Sequence, residues 1–292
     1  MKKKVIVLGS NGMAGHVMTV GLKSEPSKYE VIDVARSTSA IKPAVILDVT
    51  NFEALGTLIE TTNADFIINC VGLLNQTAED YPDQAILINS YLPHFLEMKT
   101  KNMSTKVIHI STDCVFSGEK GDYIEEDLKD GIGFYAQSKA LGEIINNKDL
   151  TIRTSIIGPE LKNNGIGLFN WYSQQKGEIF GYKKAFWTGV TVIELMKAVK
   201  QVLEQDLVGL VHLVNGAKIA KYDLLLLFNK IFEITDISVN VNDTFESDKS
   251  VVSTRNDLVH NVPSYSTMIE EMKAWMERNS SIYPHYSRFI KK

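Results

Sequence analysis

The stretch VIVLGSNGMAGH, residues 5–16, decides the fold expected for this chain. A short apolar run ends at Gly9, and Gly12 and Gly15 follow before an amphipathic stretch begins. Glycine permits a tight strand-to-helix turn, a close backbone approach to a pyrophosphate and close packing of the helix on the strand. The start of the helix then offers free N–H groups and a partial positive charge to phosphates. The stretch predicts a dinucleotide-binding turn, and a merely tight turn is the alternative.

Outward from this turn, short apolar runs alternate with longer amphipathic stretches through the first half of the chain. The runs rich in Val and Ile, which predict strands, are 5–9, 30–35, 44–49, 65–71, 106–112 and 150–157. The amphipathic stretches, which predict helices, are 14–24, 52–62, 84–102 and 134–146. Uninterrupted apolar strands suit a sheet that helices cover on both faces, and strand–helix alternation predicts parallel order. The predicted fold class is therefore α/β, with a doubly wound parallel sheet of the Rossmann type.

After Pro159 the alternation breaks. A segment rich in Gly and aromatic residues covers 162–189, and the elements predicted after it are a helix at 192–205, a strand at 209–215 and helices near 222–232 and 267–278. The stretch between the last two helices is expected to be irregular. The strand at 209–215 is expected to rejoin the main sheet. We therefore predict a nucleotide-binding Rossmann domain over 1–158 plus about 187–215. A smaller, interleaved C-terminal α/β substrate domain is predicted over about 159–186 and 216–292.

Composition narrows the classes of protein that fit. The chain has 292 residues and a net charge of −4, so no overall basic field would steer it towards nucleic acid. No apolar stretch approaches the roughly 20 residues that a membrane-spanning helix needs, so no membrane partner is expected. Cys70 and Cys114 are too few for a disulfide framework or a thiolate zinc site. A reducing cytoplasm is the location that this composition favours.

The end of the second predicted strand bears on the choice of nicotinamide cofactor. In such folds an acidic residue there usually binds the ribose 2′-hydroxyl of NAD. Here YEVIDVARS ends without an acid, and Arg36 and Ser37 suit a 2′-phosphate, so we favour NADPH. NADH is the alternative if Asp33 binds the ribose, and a third interpretation makes Arg36 a plain surface residue. Asp48, which precedes Val49 at the end of the third strand, is a candidate for the adenine amino group or for a helix N-cap region.

A strand end and the next helix carry the candidate chemistry. The fifth strand ends in Ser111, Thr112 and Asp113, at the edge where open α/β sheets bind ligands. On the following predicted helix, Tyr135 and Lys139 lie one turn apart on the same face. A surface turn of helix is the ordinary explanation of Y-x-x-x-K alone. Its combination with the hydroxyl-bearing strand end and the glycine loop favours an active site.

Together these motifs resemble the extended short-chain dehydrogenase/reductase family over nearly the whole chain. GSNGMAG (9–15) is similar to the extended-type glycine motif, and RTSIIGP (153–159) resembles the strand-and-Gly-Pro signature that follows the catalytic helix. STDCVFSG, the loop near 123–127, YAQSK, WTG (187–189) and GLVHLVN are most similar to the dTDP-4-dehydrorhamnose reductase subfamily. The resemblance implies an oxidoreductase that uses NADPH to reduce the C4 ketone of a 4-keto-6-deoxy sugar nucleotide, in dTDP-rhamnose or related polysaccharide precursor synthesis.

The resemblance also implies roles for individual residues. Tyr135 is the general acid, Lys139 favours its phenolate and holds the nicotinamide ribose, and Thr112 binds the carbonyl oxygen. A free tyrosine has a pKa near 10, so Tyr135 needs tuning towards the working pH. The cofactor contacts are Gly9, Asn11, Gly12, Met13, Gly15, Arg36, Ser37, Asp48, Val49, Val71, Gly72, Tyr135 and Lys139. The predicted substrate contacts are Ser111, Thr112, Asp113, Cys114, Trp187 and Arg255.

Departures from the subfamily leave the substrate open. Cys114 stands where the rhamnose enzymes usually have Tyr, and Ile156 stands where they usually have Trp. A UDP-linked 4-keto-6-deoxy-N-acetylhexosamine is therefore an alternative substrate. A nucleotide-sugar epimerase and a non-catalytic NADP-binding regulatory subunit are alternative functions. Val17 occupies the position of an acidic residue that binds magnesium in some members, so no metal is expected.

A few residues outside these motifs carry weaker expectations. Asn69 and Asn89 either support the cofactor loop or pack as ordinary buried amides, and His109 is interpreted as structural. Aromatic and basic residues in the segment after Pro159 suit a sugar nucleotide, with ordinary packing as the alternative: Trp171, Tyr172, Tyr182 and Lys183. A homodimer is the default expectation for the assembly.

Overall fold

A computed structural model of the chain describes residues 2–290, so Met1, Lys291 and Lys292 of the predicted domains lie outside the described part. The strands are β1 (Lys3–Leu8), β2 (Tyr29–Ala35), β3 (Val45–Ile46), β4 (Phe66–Asn69), β5 (Lys106–Thr112), β6 (Leu150–Thr154), β7 (Ile156–Ile157), β8 (Gly177–Trp187), β9 (Val190–Thr191), β10 (Gly209–His212), β11 (Ile219–Ala220) and β12 (Ile237–Asp248). The helices are α1 (Met13–Lys23), α2 (Phe52–Thr62), α3 (Asn75–Asp80), α4 (Pro82–Ala85), α5 (Leu92–Lys99), α6 (Phe134–Leu141), α7 (Leu168–Ser173), α8 (Val192–Val202), α9 (Lys221–Phe232) and α10 (Tyr265–Arg278).

Seven strands form one parallel sheet in the order β3–β2–β1–β4–β5–β6–β10. One apolar cluster packs α1, α8 and α10 on one face, and a second packs α2 and α5 on the other. The predicted doubly wound Rossmann-type sheet is therefore confirmed, and β10 rejoins it beside β6 as expected. The strand order reverses between β1 and β4, so a crevice opens at their carboxyl ends, where open α/β sheets bind ligands.

A second sheet, in the order β11–β8–β12, lies outside the parallel sheet. The sequence did not predict β8 or β12, which fall in the aromatic-rich segment and in the stretch that we expected to be irregular. In β8 most side chains are exposed, and in β12 nearly all are exposed or half-buried. A strand with one solvated face has no continuous apolar run, which is the signal that identified the buried strands. The division into two domains stays a prediction.

Several predicted elements are shorter than expected. The long helix expected at 84–102 consists of α4, a π-helical segment at Ile86–Tyr91 and α5. The strand expected at 150–157 divides into β6 and β7, and β7 pairs with β9 outside the main sheet. Helix α6 ends at Leu141, and at the next residue, Gly142, the chain passes so close to the π-helical segment that a Cβ would overlap the carbonyl oxygen of Asn89.

Side chains cover the free edge of β10. The guanidinium of Arg255 donates hydrogen bonds to the carbonyl oxygens of Val208 and Leu210, the latter at 2.9 Å, and it also pairs with Asp257. The His212 N–H on the same edge donates to Glu125 Oε1 at 3.0 Å. Arg255 therefore lies along the sheet edge near the amino end of β10, away from the carboxyl ends of β1 and β4. These contacts correct the expectation that Arg255 binds a substrate phosphate.

Candidate active site

The glycine loop is held tightly between β1, β2 and α1. Gly9 has a φ of +79°, and the N–H groups of Gly9 and Ser10 both donate to the carbonyl oxygen of Val34 at 3.0 Å. A Cβ at Gly15 would overlap the carbonyl oxygen of Gly9, so only glycine lets α1 lie this close to the loop. Gly12 precedes α1 and provides no side-chain cap. The amide groups of the first turn of α1 therefore keep their capacity to bind an anion.

The loop has the features that a dinucleotide needs. Ser10 Oγ and Asn11 Oδ1 are buried and have no hydrogen-bond partner within residues 2–290. The amide nitrogen of Asn11 donates to the carbonyl oxygen of Ser37 at 2.6 Å, which ties the loop to the end of β2. Val71 lies just across the crevice, with its side chain 3.0 Å from where a Cβ of Gly9 would be. Unpaired buried acceptors beside an uncapped helix start fit the phosphates and ribose of a dinucleotide.

The carboxyl end of β2 presents Arg36 to solvent, whereas Asp33 is fully buried in the strand. Asp33 pairs with the Lys23 ammonium at 2.7 Å, so this carboxylate does not point to the crevice. The NAD-selecting alternative based on Asp33 therefore conflicts with the structure. Asp48 accepts hydrogen bonds from the Thr50 N–H at 3.0 Å and hydroxyl at 2.8 Å, and these bonds lower the pKa of Asp48 against the effect of burial. This carboxylate supports the turn before α2, the alternative that the sequence left open.

Thr112, Tyr135 and Lys139 come together at the carboxyl edge of β5. Thr112 is the last residue of β5, and the other two lie one turn apart on α6. Burial raises the pKa of Tyr135 above its ordinary value, and the neighbouring Cys114 and Asp113 act in the same direction. A hydrogen bond with Thr112 opposes this shift. In this structure Tyr135 is therefore held as a protonated phenol beside a hydroxyl group, which suits a proton donor.

The side chain of Lys139 is directed towards β5. Its Nζ donates to the carbonyl oxygen of Ile110 at 2.8 Å and lies 3.3 Å from His109 Nε2. Burial lowers the pKa of Lys139 to about 8, although the carboxylate of Glu143 opposes the shift. We expected the charge of Lys139 to favour the phenolate of Tyr135, but among the groups acting on that phenol it is Thr112 that lowers its pKa.

A distant carboxylate caps the helix that carries the tyrosine. Gly133, at the N-cap, has a φ of +91° and no side chain to offer. Glu79 accepts the N–H groups of Phe134 and Tyr135, each at 3.1 Å. Because negative charge is favourable at a helix N-terminus, Glu79 both caps α6 and complements its dipole. Glu79 was not among the predicted site residues, since nothing in the local sequence indicates a cap supplied from α3.

Two asparagines support the loop that follows β4. Asn89, in the π-helical segment, accepts the N–H of Leu73 at 2.8 Å and donates to the carbonyl oxygen of Leu73 at 2.9 Å. The same amide nitrogen lies 3.0 Å from Ser138 Oγ on α6. Asn69 Oδ1 accepts the N–H of Val71 at 3.1 Å. Both asparagines therefore hold the loop opposite the glycine loop, in agreement with the supporting role that we considered, and Asn89 also links this loop to α6.

Ser111 belongs to a buried ionic network rather than to the open side of the site. Its hydroxyl donates to Glu143 Oε1 at 2.8 Å. Arg153, only 1% exposed, donates to both oxygens of Glu143 at 2.8 and 2.7 Å and to His212 Nε2 at 2.7 Å. Burial alone would raise the pKa of Glu143, but the Arg153 guanidinium holds it below its ordinary value. These contacts correct the expectation that Ser111 binds substrate, and they anchor the end of the segment that carries Tyr135.

The chain beyond β12 brings Lys249, which sequence reasoning missed, near Asp113 just after β5. Lys249 has no ion pair or hydrogen bond among residues 2–290, and its charge opposes the rise that burial causes in the pKa of Asp113. The backbone beside it is fixed, because Ser250 accepts the Tyr123 N–H at 3.0 Å and its hydroxyl donates to Asp122 at 3.2 Å. Lys249 lies in the stretch predicted to be irregular, where no motif singles it out.

The aromatic residues of the segment after Pro159 divide into packed and exposed groups. Trp187 is 6% exposed and its ring lies 5.7 Å from that of Tyr265 in the apolar core, so it is not positioned to stack on a sugar. This packing corrects the expectation that Trp187 contacts substrate. Tyr172 is also buried, with its hydroxyl bonded to Asn229. Trp171 and Tyr182 are partly exposed.

Residues 2–290 contain neither a cluster of side chains suited to a metal ion nor a helix suited to a membrane. No group of three or more His, Cys, Asp and Glu side chains is arranged there to hold a metal ion. Val17, at the position that suggested the absence of magnesium, is a buried residue of α1. None of the helices in this range is both long enough and apolar enough to cross a membrane.

Comparison with known proteins gives consistent matches. The protein-family profile described as the RmlD substrate binding domain matches residues 3–279. The dTDP-4-dehydrorhamnose reductase of Aggregatibacter actinomycetemcomitans is 28% identical over 169 residues, which are 56% of this chain and 54% of that protein. The chain spans about half the length of the curated relatives it matches.

Solved structures match over a longer range. A hypothetical dTDP-4-dehydrorhamnose reductase from Sulfolobus tokodaii is 26% identical, with a TM-score of 0.77, and the match covers 90% of this chain and 96% of that one. The dTDP-4-dehydrorhamnose reductase of Bacillus anthracis strain Ames, solved in complex with NADP, is 22% identical, with a TM-score of 0.79 and coverage of 93% and 98%. At this low sequence identity, the match with the B. anthracis protein shows a shared fold.

Proposed function

We propose that this chain, which belongs to the family of the RmlD substrate binding domain, reduces the C4 ketone of a 4-keto-6-deoxy sugar nucleotide with NADPH. The observation that carries the proposal is the meeting of Thr112, Tyr135 and Lys139 at the carboxyl edge of β5, beside the crevice between β1 and β4. The names of the relatives from A. actinomycetemcomitans and S. tokodaii support the same reaction.

The residues around the crevice would bind the cofactor. The glycine loop and the start of α1 would hold the phosphates, and Arg36 would pair with the 2′-phosphate that distinguishes NADPH from NADH. The complex of the B. anthracis relative with NADP supports this choice. When bound, the nicotinamide supplies the hydride. Asn69 and Asn89 would keep the loop at Val71 and Gly72 in place against it.

The residues at the end of β5 would perform the proton chemistry. The Thr112 hydroxyl would donate to the ketone oxygen and fix its direction, and Tyr135 would deliver a proton to the same oxygen as the carbonyl becomes an alcohol. Because burial raises the pKa of Tyr135, the phenol carries its proton at neutral pH. General acid help of this kind is worth about 10²–10⁴-fold. Lys139 would hold the ribose of the cofactor.

The predicted substrate domain would determine which sugar nucleotide is bound. Lys249 would contribute a positive charge beside Asp113 and Cys114, where the substrate enters next to Tyr135. A dTDP-linked 4-keto-6-deoxy sugar is the first candidate because of the relatives' names. Cys114 and Ile156, which replace residues usual in the rhamnose enzymes, keep a UDP-linked 4-keto-6-deoxy-N-acetylhexosamine as the second candidate.

The test is NADPH oxidation in the presence of dTDP-linked and UDP-linked 4-keto-6-deoxy sugars generated in place. We expect turnover with one of them and a loss of at least about 100-fold in Tyr135→Phe, because the proton donor is removed. Tyr91→Phe is the matched control, since Tyr91 is an exposed tyrosine in the π-helical segment, and it should keep full activity. A Tyr135→Phe variant as active as the wild type contradicts the proposed role.

Other outcomes distinguish the alternatives. Interconversion of two sugar nucleotides with no net NADPH consumption indicates an epimerase. Tight NADPH binding with no turnover of any keto sugar indicates a regulatory subunit. A mass measurement in solution checks the expected homodimer, which stays a prediction together with the cytoplasmic location.

A further inference from the structure

His109 lies in the middle of β5 with no exposed surface, between β4 and α6. Its Nδ1 is 3.1 Å from the amide nitrogen of Asn69, and its Nε2 is 3.3 Å from the Nζ of Lys139. The sequence suggested only a structural histidine here. Its contact with a proposed catalytic residue raises the question of which ring nitrogen carries the proton.

The hydrogen bonds around Asn69 answer that question. Asn69 Oδ1 accepts the N–H of Val71, so the amide NH₂ of Asn69 is the group that faces His109. An amide NH₂ is a donor, and therefore Nδ1 of His109 must accept. A neutral imidazole has one donor and one acceptor nitrogen, which leaves the proton on Nε2. Burial lowers the pKa of His109 well below its ordinary value, so the ring is neutral near pH 7.

The proton on Nε2 has a consequence for Lys139. An ammonium group has donors only, so a charged Lys139 would place N–H against N–H across this contact. A neutral amine has a lone pair that accepts the Nε2 proton and can still donate to the carbonyl oxygen of Ile110. Other titratable groups face these two side chains. The carboxylate of Glu143 favours the charged form of Lys139, Cys70 lies close to the same amine, and His94 lies near enough to affect His109.

We propose that His109 is a positioning residue for the reduction: its Nε2 proton holds the side chain of Lys139 at β5 and favours the uncharged amine. The role in reduction rests on the proposed function, whereas the contact itself belongs to the free protein. Asn69 determines which ring nitrogen of His109 carries the proton. Because Asn69 also accepts the N–H of Val71, it links His109 to the loop that faces the glycine loop. The buried side chains of Asn69 and His109 would thus help to set the pH at which Lys139 becomes charged.

Nuclear magnetic resonance of the free protein tests the inference directly. ¹⁵N shifts of the imidazole, assigned by comparison with His109→Gln, report the tautomer, and we expect the proton on Nε2. Titration of the ¹³Cε resonance of Lys139, assigned with Lys139→Met, reports its charge. In His109→Gln the amide oxygen can accept from an ammonium, so the midpoint of the Lys139 titration should rise by about 1 or more on the pH scale.

A second variant separates the tautomer from general disturbance of the site. In Asn69→Asp the carboxylate would attract the proton to Nδ1, leave Nε2 as an acceptor and raise the Lys139 midpoint. This rise should shrink in the His109→Gln background if Asn69 acts through His109. His260→Gln is the control, because His260 contacts Gln201 and Glu194 of α8 and should leave the midpoint unchanged.

Clear results would overturn the inference. An Nδ1 proton in the wild-type protein contradicts the hydrogen-bond argument, and an unchanged Lys139 midpoint in folded His109→Gln contradicts the link to Lys139. If His109→Gln does not fold, the tautomer of His109 in the wild-type protein and the midpoint of the Lys139 titration in Asn69→Asp still test the inference. Failure to reduce any keto sugar counts against the proposed function and leaves these measurements valid. Where turnover is found, the limb of the pH profile of kcat/KM that depends on Lys139 should move upward in His109→Gln.

Discussion

The glycine loop and the catalytic helix face the same crevice but are held in place in different ways. In the loop, the carbonyl oxygen of Gly9 leaves no room for a Cβ at Gly15, six positions further along the chain. In α6, the N-terminal amides bond to Glu79, which is 55 and 56 positions away, and Ser138 contacts Asn89, 49 positions away. A local steric requirement is visible in the sequence, whereas a support assembled from distant elements is not. Substitutions in the glycine loop and around α6 test this difference.

The largest effect is expected where α6 is anchored to β6. Glu143→Ala would leave the guanidinium of Arg153 buried without its carboxylate, which typically costs about 3–5 kcal/mol. We expect the free energy of unfolding, measured with a chemical denaturant, to fall by this amount. Glu126→Ala removes an exposed carboxylate and serves as the control. A loss below about 1 kcal/mol in Glu143→Ala would mean that the buried ion pair does not hold this segment.

The next effect concerns the loop itself. Gly15→Ala places a methyl group onto the carbonyl oxygen of Gly9, and overpacking of this kind costs about 3 kcal/mol. Thermal unfolding should show the loss, and NADPH affinity should fall with it because the start of α1 moves. Gly216→Ala is the control, since a Cβ there meets no atom within 4 Å. A Gly15→Ala protein with wild-type stability and NADPH affinity would show that the loop tolerates displacement.

Arg36→Ala tests cofactor choice without disturbing the loop. A charge-assisted hydrogen bond contributes about 1.5–3 kcal/mol, so NADPH affinity should fall by roughly 10–100-fold. Affinity for NADH, which lacks the 2′-phosphate, should stay the same, and so should stability because Arg36 is exposed. Fluorescence titration of the reduced cofactors measures both affinities. An equal loss for the two cofactors would contradict the role of Arg36.

The smallest free-energy change among these variants is expected at the amino end of α6. Glu79→Ala removes the cap, which typically costs about 1 kcal/mol of unfolding free energy. The loss in kcat should be larger than this stability change suggests, because Tyr135 directly follows the capped turn. Asp80→Ala, which removes the neighbouring exposed carboxylate, is the control. If both variants retain full kcat, the cap does not position the tyrosine.

The sequence predicted the parts of the fold and site that depend on short-range patterns. Buried parallel strands are continuous apolar runs, and the i, i+4 spacing of Tyr135 and Lys139 places them on one face of α6. The expected role of Ser111 conflicts with the structure because its hydroxyl is bonded to Glu143, and the sequence does not show that this carboxylate reaches β5. The exposed strands β8 and β12 have no such run, and Glu79, His109 and Lys249 acquire their surroundings only when distant elements pack together.

The covering of β10 by Arg255 and Glu125 has a consequence for how copies of this protein behave at high concentration. A bare edge strand offers unpaired N–H and C=O groups to another chain and can seed intermolecular sheets and aggregation. Here one edge of the parallel sheet has the carbonyl groups of Val208 and Leu210 and the N–H of His212 bonded to side chains, and the other edge, β3, is only two residues long. Both ends of the sheet therefore resist extension by a neighbouring molecule, each by a different means.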